Sequence, residues 1–153
     1  MTSRILFTVA AALLGAALTA VPATADDKKE KTDLDLLQGT WKFTSMEQDG
    51  QPAPKDEEKP TITFEKDKFI VKAASLQVLQ AGTQVLDASK KPKTVDATVT
   101  EGEGKGTTML GIYELDGDTL KACFDTQGKK RPTEFKTTAG SGLMLVVLKR
   151  EKK

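Results

Sequence analysis

The sequence contains no histidine and no asparagine, and it has a single cysteine. Without an imidazole there is no Ser-His-Asp or Cys-His catalytic pair, no His-ligated metal, and no side chain whose ordinary pKa lies near neutrality. A single thiol cannot close a disulfide within the chain, and a chain without asparagine has no N-glycosylation site. We therefore expect no enzymatic activity, no cofactor and no metal site.

Carboxylates remain as an alternative source of chemistry, because two of them facing each other across a cleft can hydrolyse a glycosidic bond. The sequence holds 22 acidic residues, so some pair is inevitable and its presence carries no information. Nearly all of them fall at predicted turns or on the polar face of predicted strands, where they stay solvated and ionised. The composition favours a non-enzymatic protein, with hydrolysis as the weaker alternative.

An excess of charge of one sign is also missing, since 23 basic residues stand against 22 acidic ones. A balanced chain has no overall field to attract nucleic acid or anionic lipid. The local basic clusters at 90–93 and 129–131 are not interleaved with aromatic residues, as single-strand binders require. We expect no nucleic-acid partner.

The first 25 residues have the three parts of a secretory leader. Arg4 precedes an apolar run over 5–20, and Ala23-Thr24-Ala25 follows as a small-residue cleavage site. A retained membrane anchor needs roughly 20 apolar residues, more than this run supplies, so an anchor is the disfavoured alternative. We expect cleavage after Ala25, a secreted or periplasmic location, and no membrane attachment of the mature chain.

The mature chain divides into a charged tether and one domain. Residues 26–33 contain no apolar side chain, which predicts a flexible tether. Residues 34–153 are enough for one modest hydrophobic core and not for two. We expect a single domain over 34–153, and a monomer.

From residue 39 onwards, apolar and polar residues alternate in short runs that end at turn signals. The runs at 61–65 and 68–72, separated by Lys66-Asp67, are typical of a β-hairpin. About eight such runs recur at spacings near ten residues, with no convincing long helix. This pattern predicts an all-β fold, either a barrel or a sandwich.

Some segments are less regular. Residues 51–60 hold three prolines and five charges, which predicts a loop. Residues 74–87 fit either a helical turn or a strand, and 133–137 predicts a short strand. Residues 143–148 are apolar at both parities, which indicates a strand that is covered on both faces or lies within the sheet.

Three features look like functional motifs but have simpler structural explanations. The glycine-rich stretch at 102–106 lacks the spacing of a phosphate-binding loop, and no helix follows it, so it predicts a hairpin tip. Asp116-Gly117 is typical of a tight hairpin turn rather than of a calcium loop. For Cys123, a buried apolar thiol is favoured over a reactive thiolate activated by Lys121.

The start and end of the domain carry a recognisable pair of patterns. Gly39-x-Trp41 opens the first strand and Lys149-Arg150 ends the last one, which resembles the lipocalins and their calycin relatives. Over about residues 34–150, further motifs resemble a small secreted lipocalin-like domain of planctomycete bacteria. They are LQGTW at 37–41, ExDG at 47–50, KPKxVD at 91–96, GIYxLxGDxLxxCF at 111–124, RPxxF at 131–135, GSG at 140–142 and LKR at 148–150.

This resemblance implies an antiparallel up-and-down barrel of about eight strands after a short N-terminal helical turn. In that group a Trp closes the narrow end of the barrel and a basic side chain of the last strand stacks over it. Gly39, Trp41 and Arg150 would form this closure. The family has no established activity, so the resemblance implies a fold and no ligand. Ala122 and Gln84 are smaller or less aromatic than the resemblance leads us to expect.

Eight residues on the inward parities are predicted to line the barrel, with Tyr113 as the only polar handle: Phe43, Phe64, Phe69, Val71, Val99, Tyr113, Leu120 and Phe124. The first hypothesis is a non-enzymatic barrel that binds a small, partly apolar molecule or peptide inside. However, side chains alone can fill an eight-stranded barrel. The alternative is a solid barrel whose loops at 51–60 and 102–106 contact a cell-envelope protein, as an interaction or inhibitor module.

Overall fold

The computed structural model describes residues 29–55 and 58–152. The predicted leader, the first residues of the predicted tether and part of the 51–60 loop lie outside the described residues. The elements are α1 Asp33–Leu37, β1 Gly39–Gln48, β2 Gln51–Pro52, β3 Thr61–Glu65, β4 Lys68–Lys72, β5 Val78–Asp87, β6 Lys93–Gly102, β7 Thr108–Asp116, β8 Thr119–Asp125 and β9 Leu143–Arg150.

The strands form a single antiparallel sheet that closes on itself. From β3 to β9, each strand pairs with the next one in the chain, and β1 pairs with both β3 and β9. The two residues of β2 pair with the last residues of β1, at the start of the predicted loop. The prediction of a small up-and-down barrel of eight strands after a short helical turn is confirmed.

Helix α1 is a short turn at one end of the barrel. Thr32 begins it with a capping box, because its hydroxyl accepts from the Asp35 backbone N–H and its own backbone N–H donates to the Asp35 carboxylate. Gly39, which starts β1, has a φ of +113°, a conformation that suits glycine. The Leu37 side chain is buried. We call the end of the barrel beside α1 the closed end, and the other the open end.

Side chains alternate between the inside and the outside of the barrel along the strands, but β1 breaks the pattern. Its register against β9 shifts between Phe43 and Ser45. Such a bulge changes which residues face inward, so Met46 packs against the core while Ser45 is exposed. The simple alternation of the sequence, which groups Ser45 with Phe43, does not hold beyond this point.

The ambiguous segment at 74–87 is a strand from Val78 onwards, paired with both β4 and β6. Before it, a tight turn is closed by 2.9 Å hydrogen bonds from the Leu76 N–H to the Ala73 carbonyl and from the Ala73 N–H to the Gln77 carbonyl. Leu76 has a φ of +67° in this turn, which is uncommon for a residue with a side chain. Of the two alternatives, the helical turn is wrong for most of the segment.

The segment at 126–142, which we call the outer cover, leaves the barrel wall and packs over the outer face of β7 and β8. Beneath it, Ile112 and Cys123 are 1% and 0% exposed, although both point away from the barrel interior. The Cys123 thiol lies 3.8 Å from the backbone carbonyl oxygen of Lys136, and burial raises the pKa of this thiol. Cys123 is therefore a packed structural side chain, as favoured from the sequence.

Two polar side chains hold this cover in place. The Asp125 carboxylate accepts from three backbone N–H groups at the start of the cover. The Arg131 guanidinium donates to the carbonyls of Val95 and Gly111 and pairs with Asp96. The strand predicted at 133–137 is wrong, because β8 and β9 are already paired on both sides and a closed barrel leaves them no free edge.

Candidate binding cavity

The barrel interior contains an apolar cavity of about 80 Å³. Its wall is built by α1 and by all eight barrel strands, and the described residues that line it include no charged one. The lining residues are Leu37, Phe43, Ile62, Phe64, Phe69, Val71, Gln80, Gln84, Leu86, Val95, Ala97, Met109, Tyr113, Leu120, Ala122, Phe124, Met144, Val146 and Leu148. Since an unpaired charge is expensive to bury in such surroundings, the cavity suits a neutral occupant.

Two glycines allow aromatic rings to lie against the wall of the cavity. Gly82 pairs with Phe69 across the sheet, and Gly111 pairs with Phe124. The Phe69 ring comes within 2.8 Å of the position that a Cβ of Gly82 would take, and the Phe124 ring within 2.5 Å of the equivalent position at Gly111. Because both rings use the space of a missing side chain, less of the barrel centre is filled.

The closed end is built around Trp41, which is 0% exposed. Its indole N–H donates to the Leu37 carbonyl at 2.8 Å, which holds α1 against the barrel. The Arg150 guanidinium lies 4.2 Å from the centre of the indole ring and donates to the Gln38 carbonyl at 2.7 Å. A Cβ on Gly39 would stand 3.6 Å from this guanidinium. The structure thus brings Gly39, Trp41 and Arg150 together.

Replacing Arg150 with alanine is expected to lower the free energy of unfolding by about 2 kcal/mol, through the loss of the cation–π contact, of the hydrogen bonds and of stem packing. Trp41 is the only tryptophan, so its emission spectrum should change as well. Urea titration followed by fluorescence measures both effects. Lys149→Ala is the control, because Lys149 is exposed and its ammonium group donates to Thr119 on the barrel surface. Equal losses for the two variants would contradict the prediction.

Tyr113 is buried in the wall, but its hydroxyl is already used. It donates to the Asp33 carboxylate at 2.7 Å, and the Lys93 ammonium group donates to the same oxygen at 2.7 Å. Burial and the neighbouring Asp33 carboxylate raise the pKa of Tyr113. Burial alone would raise the pKa of Asp33, but the two hydrogen bonds and the charge of Lys93 hold it below its ordinary value. These three side chains fasten the start of α1 to the barrel.

The Asp33→Asn variant is expected to be about 1 kcal/mol less stable than the wild type at neutral pH, with a difference that shrinks in acid. Because the pKa of Asp33 is depressed in the folded state, its carboxylate stabilises the fold above the unfolded-state pKa of about 3.9. That contribution is lost as the pH falls through the lower folded-state value. Urea unfolding at pH values from about 7 down to about 2.5 measures it. A difference that does not change with pH would contradict the assignment, and Asp116→Asn, at an exposed turn, is the control.

Gln84 supplies the unusual polar group of the cavity. The residue is 7% exposed, and within the described residues its Nε2 atom is buried and has no hydrogen-bond partner. A buried donor left unpaired destabilises a fold by about 1–3 kcal/mol, and such donors are uncommon in native proteins. Gln84 belongs to the cavity wall, so a turn of its side-chain amide would bring this donor to a molecule inside.

The open half of the cavity contains the flexible side chains. Apart from Met1, the methionines of the sequence are Met46, Met109 and Met144. Met109 and Met144 line the cavity, and Met46 packs against the core. Unbranched thioether side chains adjust their shape readily. The methionines therefore make the part of the wall at the open end adaptable in shape.

An apolar lip borders the open end of the barrel. It consists of Leu76, Val78 and Leu79, which are 75%, 46% and 42% exposed. The next residue, Gln80, lines the cavity, and its side-chain amide donates to the Glu103 carbonyl at 2.8 Å. This hydrogen bond joins the apolar lip to the predicted hairpin tip at 102–106.

Most of the predicted lining residues meet at the cavity, and one does not. Val99 is 1% exposed in the hydrophobic core, but it lies outside the cavity wall. The other seven line the cavity, namely Phe43, Phe64, Phe69, Val71, Tyr113, Leu120 and Phe124.

The polar group of the cavity differs from the prediction. Tyr113 is not a free polar handle, because its hydroxyl donates a hydrogen bond to the Asp33 carboxylate. Asp33 itself belongs to α1 rather than to the tether. Gln84, Met109 and Met144 are lining residues absent from the prediction. Alternation along β5 and β9 would have found Gln84 and Met144, since they share the inward face with Leu86 and Val146.

The cavity is the strongest candidate for a functional site in the described part of the chain. Residues 29–55 and 58–152 contain no group of three or more His, Cys, Asp or Glu side chains that could hold a metal ion. Among the same residues, no helix is both long enough and apolar enough to cross a membrane. Comparison with protein-family models, with curated proteins and with solved structures found no match for the chain.

Proposed function

We propose that the protein is an exported, non-enzymatic, lipocalin-like barrel that binds a small, partly apolar molecule in its interior. The observation that carries this proposal is the apolar cavity of about 80 Å³ with the unpaired Gln84 amide in its wall. Apolar walls with a few placed polar groups are typical of small-molecule sites. The leader pattern of the first 25 residues supports export.

The packing of the barrel supports a ligand-binding interior rather than one filled by its own side chains. Side chains can fill an eight-stranded barrel completely, yet here small residues, Ala97 and Ala122, face the cavity. Gly82 and Gly111 leave room for aromatic rings at the wall. An empty apolar cavity lowers stability in proportion to its volume. An occupant would restore those contacts.

The size of the cavity limits the occupant. An engineered apolar cavity of about 150 Å³ takes up benzene, and the cavity in this barrel is about 80 Å³. A ligand of a few heavy atoms fits the observed shape. A larger one requires the methionine side chains at the open end to move, which their flexibility permits.

The wall residues that the structure describes offer no group suited to catalysis. They include no charged side chain, and the Tyr113 hydroxyl is held by Asp33 with its pKa raised by burial. Acid–base catalysis needs a group that changes protonation near the working pH. These features support binding rather than turnover.

Native mass spectrometry of the protein purified from its natural source tests this function, together with thermal unfolding in the presence of xenon and benzene. We expect a retained small molecule, or a raised melting temperature with at least one of these probes. Ala122→Leu is the control, because its larger side chain occupies part of the cavity and should abolish the response. Protein without retained mass and without any thermal response would overturn the proposal.

A second candidate function is an interaction module of the cell envelope, which the apolar lip favours. Exposed apolar patches on small proteins often mark contacts with other proteins, and Leu76 is 75% exposed in a positive-φ conformation. Crosslinking in the envelope tests this candidate. A specific crosslinked partner should be lost in Leu76→Asp and kept in Val85→Asp, since Val85 is 70% exposed on the barrel wall. Recovery of monomer alone would count against it.

A further inference from the structure

In the described part of the chain, three side chains of the cavity wall carry N–H or O–H groups, and two of them are already hydrogen-bonded. The Tyr113 hydroxyl donates to the Asp33 carboxylate at 2.7 Å. The Gln80 amide donates to the Glu103 carbonyl at 2.8 Å. Gln84 differs, because its Nε2 is buried without a partner among the described residues. Gln84 is thus the wall residue whose buried donor has no partner among the described residues.

The surroundings of Gln84 fix the chemistry that can satisfy this donor. The cavity wall carries no charged side chain within 29–55 and 58–152, so an anionic ligand would be desolvated without a counterion. Gln84 on β5 pairs with Ala97 on β6, and Ala97 lines the cavity too. Phe69, Met109 and Phe124 supply apolar surface within the same wall. A ligand therefore needs an acceptor for Gln84 and a neutral, apolar remainder.

We propose that the interior recognises small neutral molecules through a carbonyl or ether oxygen that accepts a hydrogen bond from Gln84 Nε2. This inference rests on the proposed binding function and deepens it, because it assigns the polar contact that selects the ligand. A hydrocarbon of the same shape gains the apolar contacts but leaves the donor unpaired. The protein therefore discriminates in favour of the oxygen-containing molecule.

Cyclohexanone and methylenecyclohexane form a matched pair of probes, because a carbonyl oxygen in one replaces a methylene group in the other. Gln84→Met keeps a side chain of similar length and removes the donor. It should fold, since it removes an unpaired buried amide, and its melting temperature should rise by about 4 °C. Gln127→Met is the matched control, because Gln127 is exposed on the segment outside the barrel and does not belong to the cavity wall.

Dissociation constants are measured by titrating full-length, leader-processed protein in NMR experiments that also record the side-chain amide signals. We expect Gln84→Met to weaken cyclohexanone binding about tenfold relative to methylenecyclohexane, and Gln127→Met to leave this ratio unchanged. The Gln84 side-chain amide signal should shift with cyclohexanone and far less with the hydrocarbon.

The possible failures are distinguishable. If both probes bind and the ratio of their affinities is the same in the wild type and in Gln84→Met, the assigned contact is wrong while the binding function stands. If neither probe binds the wild type or either variant, and xenon and benzene fail as well, the cavity is not a binding site. Both the proposed function and this inference are then overturned.

Discussion

Replacing Trp41 with alanine is expected to lower the free energy of unfolding by about 4 kcal/mol. The indole is 0% exposed, donates to the Leu37 carbonyl and supports the Arg150 guanidinium at 4.2 Å. Its removal leaves a cavity in the core and also removes the hydrogen bond that holds α1 against the barrel. Two stabilising contributions, packing and hydrogen bonding, are therefore lost together. Urea unfolding followed by circular dichroism measures the change, since the variant has no tryptophan fluorescence.

Phe135→Ala is the matched control for this prediction, because Phe135 is an aromatic residue of the outer cover and is only partly buried. Its ring lies 5.4 Å from the Lys121 ammonium group on the barrel surface. A loss of about 1 kcal/mol is expected there. If Trp41→Ala destabilises no more than Phe135→Ala, the closed end does not depend on the indole.

The fold was predictable because its signals are local. A turn such as Lys66-Asp67 joins two runs that alternate apolar and polar residues, and neighbouring strands in the chain are neighbours in the sheet. An up-and-down barrel needs no long-range information beyond its closure. For the closure, the resemblance named Trp41 and Arg150, and these two residues pair in register across β1 and β9.

The cavity was less predictable because it depends on pairings between strands. Alternation gives the inward face of a strand, but the β-bulge after Phe43, which turns Met46 inward, has no signal in the sequence. Whether a buried polar group is hydrogen-bonded also depends on residues that are distant in the sequence. Asp33 engages Tyr113 from 80 residues away in the chain, whereas Gln84 is left without a partner among the described residues.

The strand predicted at 133–137 is wrong for a similar reason, because strand pairing depends on which sheet edges are free. Residues 133–137 alternate as a strand does, but the edges of β8 and β9 are already occupied by barrel neighbours. The segment is held instead by Asp125 and Arg131, through bonds to backbone groups. Strand propensity describes a pleated, half-buried surface, and a segment packed across the outside of a sheet meets the same requirement without pairing.

Gly82→Ala is expected to lower the free energy of unfolding by about 3 kcal/mol, although this glycine does not have a positive φ. The new Cβ would lie 2.0 Å from the carbonyl oxygen of Thr98 and 2.8 Å from the Phe69 ring. That carbonyl belongs to the backbone of β6, so relief of the contact requires the sheet itself to shift. Urea unfolding followed by tryptophan fluorescence measures the loss.

Gly106→Ala is the control for Gly82→Ala. It shows the cost of replacing a glycine by alanine where the added methyl group meets no other atom. Gly106 has a φ of +89° and open space around its Cα, so alanine there adds backbone strain alone, about 1 kcal/mol. A larger loss for Gly82→Ala, together with weaker binding of small apolar probes, is expected because the displaced Phe69 ring would enter the cavity. Equal losses with unchanged binding would mean that the sheet relaxes around the methyl group. The open interior would then not depend on Phe69 lying against the wall.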